Sequence, residues 1–172
     1  GVPALDALQK VLGGQPPTLV VGYAPSVRGL QDICSAFGEK QWPSAVNGCT
    51  TCKGTMQNGS FRGSVQGSIF GIYDPQGVYV SVAGEVGSAD MVSKKTVELL
   101  QHGFKRAQER ALALGSEILL KNSPLVLMHA TVGVEEAVLA AIHSECSSAD
   151  VFGGTAADNN LDASQWLVFG RH

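Results

Sequence analysis

Two stretches of this 172-residue chain follow one plan, and they restrict its fold more than any other feature. The first is Val46-Asn47-Gly48-Cys49-Thr50-Thr51-Cys52-Lys53, and the second is Val151-Phe152-Gly153-Gly154-Thr155-Ala156-Ala157-Asp158. Val46 matches Val151, Gly48 matches Gly153, Thr50 matches Thr155 and Lys53 matches Asp158. In each, a short apolar run gives way to small residues, as where a strand leaves a sheet for a ligand-holding loop. The residues before each stretch are also alike. Thr18-Leu19-Val20-Val21-Gly22-Tyr23 is nearly continuous in apolar residues, the pattern of a strand buried on both faces of a parallel sheet, and Pro124-Leu125-Val126-Leu127-Met128-His129 echoes it. A helical stripe follows in both: Val27, Leu30, Ile33 and Phe37 in the first, Val134, Val138, Ala141 and Ile142 in the second. Glu135 and Glu136 fall near the positive end of the second helix. The near-constant offset between the copies predicts a duplicated strand-helix-strand-loop unit.

The remaining chain fits around these units. Val2, Leu5, Leu8 and Leu12 recur by three and four and predict a short amphipathic helix, broken by Gly13-Gly14-Gln15-Pro16-Pro17. Pro25 suits the first turn of the helix that follows, and Gly38 suits its C-terminal cap. Gly63–Tyr73 and Val78–Ala83, around Asp74-Pro75-Gln76-Gly77, read as an antiparallel hairpin. Ser93 is placed to cap a long helix whose apolar stripe is Val97, Leu100, Phe104, Ala107, Ala111 and Leu114, ending at Gly115. Its opposite face, with Lys94, Lys95, Glu98, Lys105, Arg106 and Glu109, reads as solvated surface.

The fold class expected is α/β: duplicated βαβ units forming a mixed, largely parallel sheet, with a central antiparallel hairpin and flanking helices. Residues 1–172 read as one domain, in which 1–17 are an N-terminal helix and linker. The chain opens on Gly1 and stops just after the strand-like run Trp166-Leu167-Val168-Phe169, which reads as a domain cut at its C-terminal end.

Composition removes several classes of function. A net charge of −3 and the lack of a Lys/Arg cluster deny the chain the electrostatic footprint of a nucleic-acid binder, so no nucleic-acid partner is expected. A hydrophobic fraction of 44% with 16% charged residues is that of an ordinary folded protein rather than a disordered linker. No apolar run approaches the roughly 18–20 residues that span a bilayer, and no signal-peptide layout opens the chain, so a soluble protein without a membrane span is expected. Its compartment is left open, intracellular or organellar after loss of a targeting segment.

Polar ligands of open α/β sheets bind beyond the carboxyl ends of the strands, where both small-residue stretches fall. Backbone amides in such loops converge on anions. Catalysis finds no support: there is no G-x-S-x-G elbow and no Ser/His/Asp order above background, so no enzyme activity is expected. Cys49 and Cys52 form a C-x-x-C pair, yet Lys53-Gly54-Thr55 and Asn58-Gly59 are poor helix formers, so a plain loop outranks a redox centre. Cys34 sits on or beside the buried stripe of its helix and Cys146 lies far along the chain, so the four cysteines do not make a compact zinc set and no metal site is expected.

Gly48-Cys49-Thr50-Thr51 after a short strand, and Phe152-Gly153-Gly154-Thr155-Ala156-Ala157-Asp158 before a Trp/Val/Phe strand, resemble the two signature stretches of the N-terminal FIST domain. The order between them is also similar, so the likeness runs from about Thr18 onward. The resemblance implies a sensory module binding a small molecule, an amino acid or related metabolite, and usually joined to a second FIST half and to signalling domains. The ligand-binding residues it points to are Gly48, Cys49, Thr50, Thr51, Lys53, Gly153, Gly154, Thr155 and Asp158. Lys53 and Asp158 would meet opposite charges of the ligand, the threonines would supply hydroxyls and amides, and Asp158 serves equally as a cap of its own loop. No cofactor is expected, and His129, which ends a buried strand near the pocket mouth, reads first as a hydrogen-bonded structural residue; a branch of the family binds haem and responds to nitric oxide, and His129 is the first choice of ligand if haem is bound. Two departures stand out. The family's first motif commonly continues Ala-Gly-Glu where this chain has Cys52-Lys53-Gly54, and the second FIST half lies outside these residues. Two competing readings follow: an accessory or structural subunit of a larger assembly that keeps the fold, and a haem- or thiol-based redox or nitric-oxide sensor.

Overall fold

The structure is a computed structural model, and it describes residues 2–52, 54–57, 60–61, 63, 67–116, 121–157 and 166–171. In chain order its elements are α1 (Val2–Val11), β1 (Leu19–Ala24), α2 (Val27–Lys40), β2 (Ala45–Thr50), β3 (Met56–Gln57), β4 (Ser60–Phe61), β5 (Ser68–Ile72), α3 (Val92–Leu114), β6 (Leu125–Ala130), α4 (Glu135–Glu145), β7 (Asp150–Thr155) and β8 (Val168–Arg171). A single 3-10 turn, Ala89–Met91, leads into α3. The fold is mixed α/β, with parallel and antiparallel strands.

β1, α2 and β2 form the first βαβ unit, its strands parallel from Leu19 opposite Ala45 to Ala24 opposite Thr50. One face of the pair, with Val20, Ala24 and Val46, packs on Leu30, Ile33, Ala36 and Phe37 of α2. α1 adds Leu5, which is 0% exposed, to the same cluster. Ser26 caps α2, its hydroxyl oxygen accepting from the Gly29 N–H at 3.1 Å. The far end corrects the expected cap: α2 runs through Gly38, and Gln41 takes the left-handed conformation at φ 50°. The extra turn is held by the Gln41 N–H donating to the Phe37 carbonyl and by the ion pair of Lys40 with Asp6 of α1.

β5 and β8 flank this unit antiparallel, giving the order β5-β1-β2-β8. The hairpin expected between 63–73 and 78–83 is not formed. β5 pairs instead with β1, from Leu19 opposite Ile72 to Tyr23 opposite Ser68, and Val78–Ala83 is not a strand. The turn itself is present, closed by the Gly77 N–H to the Asp74 carbonyl at 3.1 Å and by the Tyr79 hydroxyl to Asp74 Oδ2 at 3.0 Å. Beyond it the chain leaves for β8 and α3. A Cβ built on Gly170 would stand 2.7 Å from Ser81 Oγ, and one on Gly103 would meet the Val82 side chain at 3.7 Å.

β6, α4 and β7 form a second βαβ unit, parallel from Leu125 opposite Asp150 to Ala130 opposite Thr155, but as a separate two-stranded sheet. α3 packs on α4. Ser93 is not the cap of α3, because the helix begins at Val92, directly after the 3-10 turn, two residues earlier than a Ser93 cap would start it, and Ser93 lies inside it. Gly115 ends it at φ 62°, as expected. The apolar stripe of α3 is only thinly covered: Val92 and Ala111 are its buried residues, and Phe104 is 37% exposed. Two packing groups result, one around the four-stranded sheet and one around β6, β7, α3 and α4; their strands and helices touch one another little directly, and residues 81–84 pack against both Gly170 of β8 and α3.

Candidate functional site

The residues expected in two loops are strand residues. Gly48, Cys49 and Thr50 are the last three of β2, and Gly153, Gly154 and Thr155 are the last three of β7. Lys53 and Asp158 lie outside the described residues. The tertiary fold nevertheless brings the two stretches together, since the Ala157 N–H donates to the Thr50 carbonyl at 3.0 Å. Each parallel pair is prolonged by one further backbone bond of the same kind: Thr51 N–H to the Ala24 carbonyl at 2.9 Å, and Ala156 N–H to the Ala130 carbonyl at 2.8 Å.

Matching glycines in the two stretches have one physical reason. A Cβ on Gly48 would lie 2.2 Å from the Gly22 carbonyl oxygen and 2.6 Å from the Phe169 ring, and a Cβ on Gly153 would lie 1.9 Å from the Met128 carbonyl oxygen. Gly22 and Met128 are the register partners of these glycines, so neither strand pair closes with a side chain at that point. Gly153 also sits at φ 139°, where L side chains are strained. Gly154 differs, for nothing lies within 4 Å of its added Cβ.

Thr50 is fully buried and its groups are committed to protein. Its N–H donates to the Leu167 carbonyl at 2.9 Å, its hydroxyl oxygen accepts from the Leu167 N–H at 3.1 Å, and its carbonyl holds Ala157. Cys49 is buried as well, and desolvation pushes its thiol up to about 11, so it is not a thiolate at neutral pH. Thr51 is more open and donates its hydroxyl to the Gly54 carbonyl at 3.0 Å. On the other side, the Thr155 hydroxyl donates to Glu135 Oε1 at 2.6 Å. That bond first, and backbone N–H groups at the start of α4, hold the Glu135 carboxyl below the usual carboxylate range.

Beneath these strand ends lies a polar cluster that bears out the hydrogen-bonded role expected of His129 and supplies the partners that the sequence did not reveal. His129 on β6 places Nδ1 2.7 Å from Asn47 Oδ1 on β2 and Nε2 3.1 Å from the Tyr23 hydroxyl on β1. With the amide oxygen of Asn47 able only to accept, Nδ1 carries the proton and Nε2 accepts from Tyr23. The Tyr23 and His129 rings meet edge to face, their centroids 5.4 Å apart. Burial lowers the imidazole to about 4, and the ring is neutral at neutral pH. The one sequence signal that pointed here was the repeat: Tyr23 and His129 hold the same place in their two strands. The environment does not fit a haem ligand, because both ring nitrogens already have protein partners. Among the described residues, no group of three or more His, Cys, Asp or Glu side chains is arranged to hold a metal ion.

A groove of about 500 Å³ lies elsewhere, between α3 and α4, bordered by Ser93, Val97, Glu98, Ala141 and Ser144. No helix among the described residues is long and apolar enough to cross a membrane. In comparison with known proteins, the family model of the FIST N domain matches residues 18–172. No curated protein and no solved structure matches.

Proposed function

The chain belongs to the FIST N domain family, a family of sensory modules that bind small ligands, and we propose that it binds an amino acid or related metabolite where the ends of β2 and β7 meet. The observation that carries the proposal is the bond from Ala157 to the Thr50 carbonyl, which sets the two carboxyl-terminal strand ends side by side. This is the region of an α/β sheet where polar ligands bind. Thr51, Thr155 and the backbone of 51–52 and 154–157 border the site and offer it the polar groups not already spent within the fold; Lys53 and Asp158 are assigned the ligand's opposite charges. Gly48, Gly153, Cys49 and Thr50 shape the site without touching the ligand, since they are packed against backbone or buried. The module senses and does not catalyse. Thermal-shift screening against free amino acids tests this, because a ligand at about 100 times its Kd stabilises by about 2.7 kcal/mol. The shift should vanish in Lys53→Gln and Asp158→Asn variants. Absence of any shift, also in a longer chain with a second FIST half, would sink it.

A second reading has its own observation. Leu125 is 69% exposed, Phe70 57% and Phe152 50%, and apolar strand residues so open to water favour cover by further protein. On this reading the chain is an accessory subunit, or half of a larger body. Native mass measurement of the protein from its source separates the readings: a fixed place in a large assembly, with no metabolite bound, favours the second.

A further inference from the structure

Strands and helices of the two packing groups touch one another little directly, with residues 81–84 packed against both Gly170 and α3, and among the described residues one side chain makes a polar tie between the strands of the two groups. His129, from the separate β6–β7 pair, reaches Asn47 and Tyr23 on neighbouring strands of the four-stranded sheet, and the Ala157–Thr50 backbone bond lies at the same strand ends. We propose that the Tyr23–His129–Asn47 contact is an acid-released latch, which holds the β6–α4–β7 unit against the four-stranded sheet and opens when His129 takes up a proton.

The chemistry follows from what surrounds the ring. Closed, the imidazole is a neutral donor to Asn47 and a neutral acceptor from Tyr23. A proton on Nε2 removes that acceptor, so the Tyr23 hydroxyl must turn away or reverse its role, and a charge is left in a partly buried place with no carboxylate partner among the described residues. Among the described residues, Tyr23 of β1 and Cys49, its register partner on β2, are the titratable groups beside the ring on the sheet side. Burial raises both, so they stay neutral through the acid range and offer the cation no carboxylate. On the second unit, Asp150 is at the opposite end of β7, beside Leu125, and the Glu135 carboxylate is engaged by Thr155. Opening lets the ring reach water and protonate. Separation there pulls Ala157 from Thr50, so the latch governs the approach of the two strand ends whatever ligand they hold.

Hydrogen exchange of the full chain, corrected for the intrinsic effect of pH, tests the latch. From about pH 6.5 down to about pH 4, opening that takes up one proton should grow by up to about tenfold per pH unit. The gain should appear in 125–130 and 150–157 while α2 keeps its protection. In His129→Gln, which cannot titrate, both segments should lose this acid response. An equal response in that variant, or loss of α2 protection at the same pH, overturns the proposal. Should His129→Gln fail to fold, Tyr23→Phe serves: it should speed exchange in 125–130 at neutral pH, and unchanged exchange there overturns the latch.

Discussion

Tyr23 and His129 are each the fifth residue of a six-residue strand that opens a βαβ unit, and the hydroxyl of one donates to Nε2 of the other at 3.1 Å. Equivalent positions therefore meet, ring edge to ring face, where the two units join. Asn47 fixes the tautomer that makes this bond possible.

The first prediction concerns pH. His129 has a folded value of about 4 against an ordinary 6.5, so the unfolded chain binds its proton first. Stability from the neutral ring is fully present above the unfolded value and is lost as pH falls from 6.5 towards about 4. Urea midpoints should fall across that window in the wild type and less so in His129→Gln. Asn47→Ala, which leaves the Nδ1 proton without its acceptor, should cost about 1–3 kcal/mol at neutral pH.

The paired glycines should behave alike although they are far apart in sequence. Gly48→Ala and Gly153→Ala each force a Cβ into a partner strand's carbonyl oxygen. Each should lower stability by at least about 2 kcal/mol in chemical denaturation. Gly154→Ala, with open space around it, should change stability by less than about 1 kcal/mol.

α1 lies outside the matched family segment, yet Leu5 is wholly buried against α2 and β1. Leu5→Ala should cost about 2–5 kcal/mol. Removing residues 1–17 should leave a chain that unfolds at lower denaturant or fails to fold, as far-UV circular dichroism would record.

Thr155 reports on the second strand end. Thr155→Val removes the hydroxyl that donates to Glu135, the largest cause of that carboxyl's lowered value. The Glu135 side chain should then titrate at higher pH in a carbon-detected NMR titration, and Thr155→Ser should restore it.

The buried cysteine gives a fifth prediction. Cys49 should resist alkylation at neutral pH in the folded protein, since its thiol is buried and pushed up to about 11, while partly exposed Cys52 should react. Mass mapping after brief iodoacetamide treatment checks the order. Faster labelling of Cys49 than of Cys52 would revive the redox reading.

Much of the local structure was legible in the residues. Apolar runs and helical stripes located β1, α2, β6, α3 and α4, because burial of one face imposes a period that a sequence displays. The repeat located the strand ends that Ala157 and Thr50 bring together. The hairpin was misread because Val78–Ala83 has strand-like composition, while its actual surroundings are Gly170 and α3, partners remote in sequence. Gly48 and Gly153 were read as loop residues for a related reason. Small residues suit an exposed turn, but they equally suit a strand pressed against a neighbouring carbonyl, and only the neighbour distinguishes the two.

By itself the sequence determined the two βαβ units, the helices α1 to α4 and the family, since each depends on side-chain patterns that repeat within a few tens of residues. The tertiary structure alone decided that β6 and β7 stand apart from the main sheet, that Thr50 is a buried clamp, and that His129 is spent on Tyr23 and Asn47. These depend on contacts across 82 and 106 residues, and desolvation or a hydrogen-bond partner acquired at that distance leaves no period in the chain.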